Sequence, residues 1–145
     1  MKILIVEDDA QLGKLEAELL IRYDSLQAAP VITAVDVVGD LEAAISRLGQ
    51  YDAVLCDGHF PPRAGAEASE NWAVVCDRAR CQGIRYVIYS GDAGIVGYSW
   101  EYGFPALPKP TAVEKIYAEL MVGRKDSGAR IQESERTKEA QCQKG

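Results

Sequence analysis

The sequence predicts a doubly wound α/β fold in which five short strands of a parallel sheet alternate with five helices. Short apolar runs without polar alternation occupy residues 2–6, 53–56, 85–89 and, more weakly, 106–107, and a mixed run covers residues 31–37. Runs of this kind are typical of strands that are buried on both faces. Helical periods lie between the runs, and this alternation indicates βαβ units with right-handed crossovers.

Apolar residues recur at helical spacing after four of the five strands, which places them on one side of each helix. These groups are Leu12, Leu15 and Leu19; Leu41, Ala44, Ile45 and Leu48; Trp72, Val75, Cys76 and Ala79; and Val113, Ile116, Tyr117 and Leu120. Thr111 with Glu114 three residues later is a capping box, which predicts that Thr111 caps the last helix. Gly94 and Gly97 each cost about 1 kcal/mol inside a helix, so we expect a short or irregular fourth helix within residues 92–103.

The C-terminal segment differs from the rest of the chain in composition. From Gly123 onward there is one large aliphatic residue, Ile131, and such a segment buries too little apolar surface to offset its ordering entropy. We therefore expect one domain over residues 1–123 and a flexible polar tail over residues 124–145. The domain carries 10 Lys and Arg against 18 Asp and Glu. This acidity argues against direct nucleic-acid binding, because phosphate contacts need a basic surface.

The apolar and cysteine content excludes other classes of protein. No apolar run approaches the roughly 20 residues that span a bilayer, and the N-terminus turns acidic at Glu7, too early for a signal peptide. We therefore expect a cytoplasmic protein without membrane contact. Four cysteines that form no Cys-x-x-Cys pair, with a single histidine, argue against a zinc site.

Chemically useful side chains follow four of the five predicted strands at the point where each strand ends. Glu7 and Asp8 follow the first strand, Asp57 the third, Ser90 the fourth and Lys109 the fifth. In an open parallel sheet these carboxyl ends line the crevice in which ligands bind, so we expect the five side chains to meet there. Each residue alone also has an ordinary interpretation as a helix cap, a turn or a surface charge. Their convergence indicates a site.

The residue types at this edge fit phosphoryl transfer. Crowded carboxylates repel one another, so at least one should have a raised pKa in the absence of metal, and a divalent cation would relieve the repulsion. Oxygen ligands favour Mg²⁺ over softer metals. The metal would screen an incoming phosphoryl group from the Asp57 nucleophile. Lys109 would offer its oxygens a positive charge, and Ser90 would offer a hydroxyl.

Four motifs resemble those of the receiver domains of two-component response regulators: ILIVEDD, VLCDGHFP followed by Gly65, VIYSGD and LPKP. The resemblance covers roughly residues 1–123. It implies a flavodoxin-like fold with a five-stranded parallel sheet in the order 2-1-3-4-5. It also implies that Asp57 is the phosphoacceptor, that Asp8 ligates Mg²⁺ directly, and that Glu7 acts on the metal largely through water.

The same resemblance implies roles for the remaining residues and for the partners. The backbone carbonyl of His59 would be a further metal ligand, Ser90 would be the switch hydroxyl, and Lys109 would bind the phosphoryl group. The bond between Lys109 and Pro110 would be cis, which X-Pro chemistry permits at small cost. A sensor histidine kinase or a phosphotransfer protein would be the phosphoryl donor. The chain would not be an enzyme in the ordinary sense, since it would catalyse only its own phosphorylation and dephosphorylation.

Departures from the family pattern put the output surface in doubt and leave the phosphorylation chemistry in place. Ala106 replaces the usual aromatic residue three positions before the motif lysine, and the stretch from Gly65 to Ile84 is longer than expected. His59 lies two residues after Asp57, a position from which side chains influence dephosphorylation in this family.

Three functions remain open at this point. The first is a stand-alone receiver, acting as a phosphorelay carrier or a diffusible adaptor, since no output domain follows Gly123 unless the tail is a linker to one. The second is an interaction-only pseudo-receiver without phosphoryl turnover. The third is a Mg²⁺-dependent aspartyl-phosphate hydrolase. Such hydrolases usually carry the nucleophilic Asp on the first strand and a second Asp two residues later, a spacing that Glu7, Asp8 and Asp9 do not convincingly supply.

Overall fold

A five-stranded parallel sheet lies at the centre of residues 1–122, the part of the chain that the computed structural model describes. In chain order the strands are β1 (Lys2–Val6), β2 (Ala34–Val38), β3 (Ala53–Cys56), β4 (His59–Phe60), β5 (Ser69–Glu70), β6 (Arg85–Ser90) and β7 (Ala106–Pro108). The sheet has the order β2-β1-β3-β6-β7, and β4 and β5 form a separate antiparallel pair. Counted among the parallel strands alone, this order is 2-1-3-4-5, which confirms the expected flavodoxin-like topology.

Helices cover both faces of the sheet, so both faces of the central strands are buried. The helices are α1 (Ala10–Ser25), α2 (Leu41–Arg47), α3 (Trp72–Cys81), α4 (Ala93–Glu101) and α5 (Val113–Met121). On one face α1 and α5 pack over a core that contains Ile3 and Ile5, and on the other α2, α3 and α4 pack over a core that contains Leu4 and Val6. Successive residues of β1 thus enter opposite cores, which is why its sequence shows no polar alternation.

Helix α1 shows a different buried face from the one that its leucines suggest. Leu15 is 51% exposed and Leu19 is 44% exposed, whereas the buried residues of the helix include Gly13, Glu16 and Leu20. A Cβ atom at Gly13 would lie 2.6 Å from a side-chain carbon of Val37 on β2. The helix therefore packs against the strand through its glycine, and this close approach turns the leucine stripe outward.

The start of α5 also differs from the prediction. The N-cap is Ala112, with no side-chain capping bond, so the capping box predicted from Thr111 and Glu114 does not form. The Thr111 hydroxyl instead donates a hydrogen bond to the carbonyl of Pro108, and the Thr111 backbone N–H donates to the Tyr89 hydroxyl at 3.1 Å. The hydroxyl is thus bonded to the end of β7 and is not available to cap the helix. The Lys109–Pro110 bond is cis, as expected.

Helix α4 is short, as predicted, but its glycines do not interrupt it. It runs for 9 residues through Gly94 and Gly97, and the Asp92 side chain caps it by accepting from the backbone N–H groups of Gly94 and Ile95. The predicted tail, residues 124–145, lies outside the described residues. Among the helices of residues 1–122, none combines the length and the apolar character that a membrane crossing requires.

The long stretch between β3 and α3 contains the antiparallel pair β4–β5, which the sequence analysis did not predict. His59 pairs with Glu70, and Phe60 with Ser69. The Asn71 side-chain amide donates to the Phe60 carbonyl at 2.8 Å and so closes the hairpin onto the start of α3. This hairpin follows Asp57 directly and stands beside the carboxyl edge of the sheet.

Candidate functional site

Four neighbouring parallel strands bring polar side chains to one edge of the sheet. Glu7 and Asp8 follow β1, Asp57 follows β3, Ser90 ends β6, and Lys109 follows β7. These strands are adjacent in the order β1-β3-β6-β7, so their carboxyl ends lie side by side. The five side chains named by the sequence analysis therefore share one edge.

The acidic part of the edge consists of Glu7, Asp8 and Asp57. Each offers one carboxylate oxygen, and these oxygens lie within 4.8 Å of one another. Glu7 is buried, Asp57 is half-buried and Asp8 is exposed. Hard oxygen donors are the ligands that Mg²⁺ prefers, and this ion keeps several of its waters when it binds to a protein. The donor set and the exposed side at Asp8 both fit Mg²⁺.

Crowding of these carboxylates changes the ionisation of Glu7. Burial and the neighbouring Asp57 raise the pKa of Glu7, Lys109 lowers it, and the net result is a pKa of about 7. Like charges and burial both disfavour an ionised carboxylate. The expectation that at least one carboxylate has a raised pKa without metal is confirmed.

Lys109 is the counter-charge of this edge. Its Nζ atom lies 2.7 Å from Glu7 Oε2, 3.3 Å from Asp57 Oδ2 and 4.0 Å from Glu16 Oε1. Burial lowers the pKa of Lys109, but the hydrogen bond to Glu7 and the charges of the surrounding carboxylates outweigh burial and raise it overall. The ammonium therefore stays protonated next to the predicted phosphoacceptor, where it can balance added negative charge.

Gly58, the residue after Asp57, lies against Ser90. A Cβ atom at position 58 would lie 2.7 Å from Ser90 Oγ and 2.6 Å from Ile95 Cδ1, so any larger residue there would have to displace one or both side chains. Ser90 Oγ accepts a hydrogen bond from the Asp92 backbone N–H at 3.0 Å. Within residues 1–122 no acceptor takes the proton of this hydroxyl, which leaves it available to an oxygen bound at Asp57. The need for Gly58 was missed by the sequence analysis.

His59 bridges the hairpin and the start of α4. Its Nε2 atom lies 3.0 Å from Asp92 Oδ2, and both side chains are partly exposed. The hydrogen bond to His59, together with the backbone N–H groups of Ile95 and Gly94, lowers the pKa of Asp92. The His59 side chain thus points to Asp92 at the start of α4. Its backbone carbonyl, and not its ring, is the expected metal ligand.

Glu16 is a further charged residue at this edge that sequence reasoning missed. It belongs to the buried face of α1 and is only 9% exposed. Burial raises the pKa of Glu16, Lys109 lowers it, Asp57 and Asp9 raise it, and the net result is a pKa of about 7. Its spacing, three residues after Gly13 and four before Leu20, would have placed it on the buried face, but the leucine stripe of α1 indicated the opposite side.

Comparisons with known proteins find similarity in structure and none in sequence. No protein-family model matches the chain, and no curated protein matches it. The response regulatory domain of protein mrkE from Klebsiella pneumoniae superimposes with a TM-score of 0.55 at 20% identity, over 83% of this chain and 93% of that domain. SdrG from Sphingomonas melonis gives a TM-score of 0.59 at 24% identity, over 84% of this chain and 97% of its own.

A designed protein also matches, which limits what the likeness shows. The de novo Rossmann 2x3 protein r2x3_168 has a TM-score of 0.55 at 14% identity, over 88% of this chain and 92% of its own. Similarity at this level is therefore similarity of fold. The chain has the flavodoxin-like fold that response-regulator receiver domains share. What it does must be argued from the residues at the edge of its sheet.

Proposed function

We propose that this chain is a phosphoacceptor receiver domain of a two-component or phosphorelay system and that it is phosphorylated on Asp57 in a Mg²⁺-dependent reaction. The observation that carries the proposal is the cluster at the carboxyl edge of the sheet. Three carboxylates lie within 4.8 Å of one another, and one ammonium contacts both Glu7 and Asp57. The functional domain would comprise residues 1–123.

Each group has a distinct part in the proposed reaction. Glu7, Asp8, Asp57 and the backbone carbonyl of His59 would hold Mg²⁺, which supplies positive charge that offsets repulsion between Asp57 and the phosphoryl donor. A carboxylate oxygen of Asp57 attacks phosphorus, the bond from phosphorus to the leaving atom breaks, and the leaving group keeps that electron pair. Hydrolysis of the acyl phosphate would return Asp57 and inorganic phosphate.

Lys109 and Ser90 would stabilise the phosphorylated state. Lys109 Nζ already lies 3.3 Å from Asp57 Oδ2, so it can balance the charge that a phosphoryl group adds at this carboxylate. The proton of the Ser90 hydroxyl would form a hydrogen bond to a phosphoryl oxygen. Charge-assisted hydrogen bonds of this kind are roughly twice as strong as neutral ones.

The partners follow from this chemistry. The donor would be the phosphohistidine of a sensor histidine kinase or of a phosphotransfer protein, in the cytoplasm, and the signal would leave through a further protein contact. The excess of acidic residues in the domain does not favour nucleic acid as the direct ligand. The protein would be its own catalyst for gaining and losing phosphate and would transform no other substrate.

The proposal is tested by intact-mass measurement after incubation with acetyl phosphate and Mg²⁺. We expect a single added phosphoryl group on the wild type and none on Asp57→Asn. Asp77→Asn is the matched control, because Asp77 is exposed and forms its ion pair with Arg80 on the same helix, α3; it should be labelled like the wild type. Label on another residue, or equal labelling of Asp57→Asn, would refute the assignment.

An interaction-only pseudo-receiver is the second candidate. It is favoured by the contact between Lys109 and two of the three carboxylates, since a site with its own counter-charge has less need of a metal. Titration with Mg²⁺ separates the two, because a pseudo-receiver of this kind would bind the ion no more tightly than a surface carboxylate does.

A further inference from the structure

The buried carboxylate of Glu16 has no assigned role in the proposed reaction. Glu16 Oε1 is buried and has no hydrogen-bond partner among the described residues. A buried polar group left without a partner costs about 1–3 kcal/mol, and more when it is charged. The neighbouring positions on the same helix face are Gly13, Ala17 and Leu20, so an apolar residue would pack here at no such cost.

Glu16 Oε1 points toward Lys109 without reaching it. The distance to Lys109 Nζ is 4.0 Å, which is too long for a hydrogen bond. The shorter contacts of the ammonium go to Glu7 Oε2 at 2.7 Å and Asp57 Oδ2 at 3.3 Å. The ammonium therefore pairs with Glu7 and Asp57, and a small side-chain movement would bring it into contact with Glu16.

Glu7 and Asp57, the two carboxylates that pair with Lys109, are also candidate metal ligands, whereas Glu16 is not. The group of described residues that could hold an ion consists of Glu7, Asp8 and Asp57. Both oxygens of Glu7 are already used, one by Lys109 and the other by the Asp9 backbone N–H at 3.2 Å. An oxygen of Glu7 that turns to a divalent cation gives up part of its bond to Lys109, and the ammonium then needs another acceptor.

We infer that Glu16 is a positioning residue: it accepts the hydrogen bond of Lys109 when Glu7 and Asp57 bind Mg²⁺. This inference rests on the proposed function, because it assumes the metal site. The ammonium would move toward Glu16 Oε1 and stay beside Asp57, and the unpaired carboxylate would gain its missing partner. Glu16 thereby favours Mg²⁺ binding, because it stabilises the position that the Lys109 ammonium takes when the metal is bound.

The test is calorimetric titration of the full-length chain with Mg²⁺ alone. Loss of one charge-assisted hydrogen bond should weaken Mg²⁺ binding by about tenfold or more in Glu16→Gln. Glu16→Asp keeps the charge but shortens the side chain by one methylene, so it should be weakened in the same way. Glu18→Gln removes an exposed charge from the same helix and should change the affinity by less than about threefold, as expected for screened surface charges.

A second pair of titrations asks whether Glu16 acts through Lys109. In a Lys109→Met background, the further change Glu16→Gln should leave Mg²⁺ affinity nearly unchanged, and the difference between the two backgrounds measures the coupling. The inference is overturned if Glu16→Asp binds Mg²⁺ as the wild type does, or if Glu16→Gln keeps its full effect without Lys109. A wild type that binds no Mg²⁺ refutes the proposed function itself, whereas a wild type that binds with unchanged Glu16 variants refutes this inference alone.

Discussion

The metal-free protein should lose stability as the pH rises from 5 to 8. Glu7 and Glu16 each have a pKa of about 7 in the folded protein against an ordinary glutamate value of 4.5. Between these two values the folded state binds more protons than the unfolded state, so the free energy of unfolding falls as the pH rises. This is the reverse of the usual behaviour of carboxylates that are stabilised by salt bridges.

The magnitude follows from the two titration curves of one carboxylate. A group with a pKa near 7 when folded and 4.5 when unfolded lowers the free energy of unfolding by about 2–3 kcal/mol between pH 5 and pH 8. Two such groups would lower it by about 5 kcal/mol at most, a large part of the stability of a typical domain. Glu16→Gln cannot ionise, so it should keep only the part that belongs to Glu7, about half of the wild-type loss.

Urea unfolding measured by circular dichroism, with EDTA present, at four pH values between 5 and 8 provides the assay. The free energy of unfolding in water is extrapolated at each pH, and its slope against pH is compared between proteins. Glu18→Gln is the matched control, because it removes one exposed carboxylate from the same helix and should leave the slope unchanged. A wild-type stability that is constant or rises over this range would refute the reasoning, as would a full slope in Glu16→Gln.

Two further predictions concern the metal and the response to phosphorylation. Mg²⁺ at 100 times its dissociation constant should stabilise the wild type by about 2.7 kcal/mol. Asp8→Asn should melt higher than the wild type without metal and lose this response; a melting temperature that ignores Mg²⁺ in the wild type would favour the pseudo-receiver. In Trp72→Phe, Trp100 is the one remaining tryptophan, and its Nε1 donates to the carbonyl of Ala106 on β7 at 2.9 Å. Beryllium fluoride with Mg²⁺ should therefore change Trp100 fluorescence, and unchanged emission would place the output elsewhere.

The fold could be predicted from the sequence because it depends on local patterns that agree with one another. Residues 3–6 and 53–56 are apolar without alternation, which strands adopt when both faces are buried, and the structure buries all of these residues. The strand order came from the motif resemblance. It did not follow from periodicity, which fixes what an element is and leaves its neighbours undetermined.

The errors arose where tertiary contacts overrule a local pattern. The leucines of α1 satisfy the spacing of a buried face, yet the close approach of Gly13 to Val37 turns the helix so that Leu15 and Leu19 are half exposed. Thr111 satisfies the pattern of a cap, yet its hydroxyl is bonded to the Pro108 carbonyl. Gly13 has its partner on another element, β2, and Thr111 has its partner at the end of β7 instead of in the helix, so neither contact follows from helical spacing.

The same distinction explains why the candidate site was predicted in part. Glu7, Asp8, Asp57, Ser90 and Lys109 stand at strand ends, and the rule that parallel strands end at one edge brings them together without any knowledge of side-chain contacts. Glu16 stands on a helix, 93 positions from Lys109 in the chain, and reaches the site only because of how α1 packs.

A designed protein shares the fold, so the fold is no argument for phosphoryl transfer. The charges that the fold brings to one edge of the sheet are what favours phosphoryl transfer. Within residues 1–122, Lys109 is the single ammonium within 4.0 Å of Glu7, Asp57 and Glu16, so three carboxylates compete for one positive charge. That imbalance is unfavourable in a merely structural cluster, and it is what a site needs if it is to attract a divalent cation. Binding of Mg²⁺ is therefore the measurement on which both the function and the role of Glu16 depend.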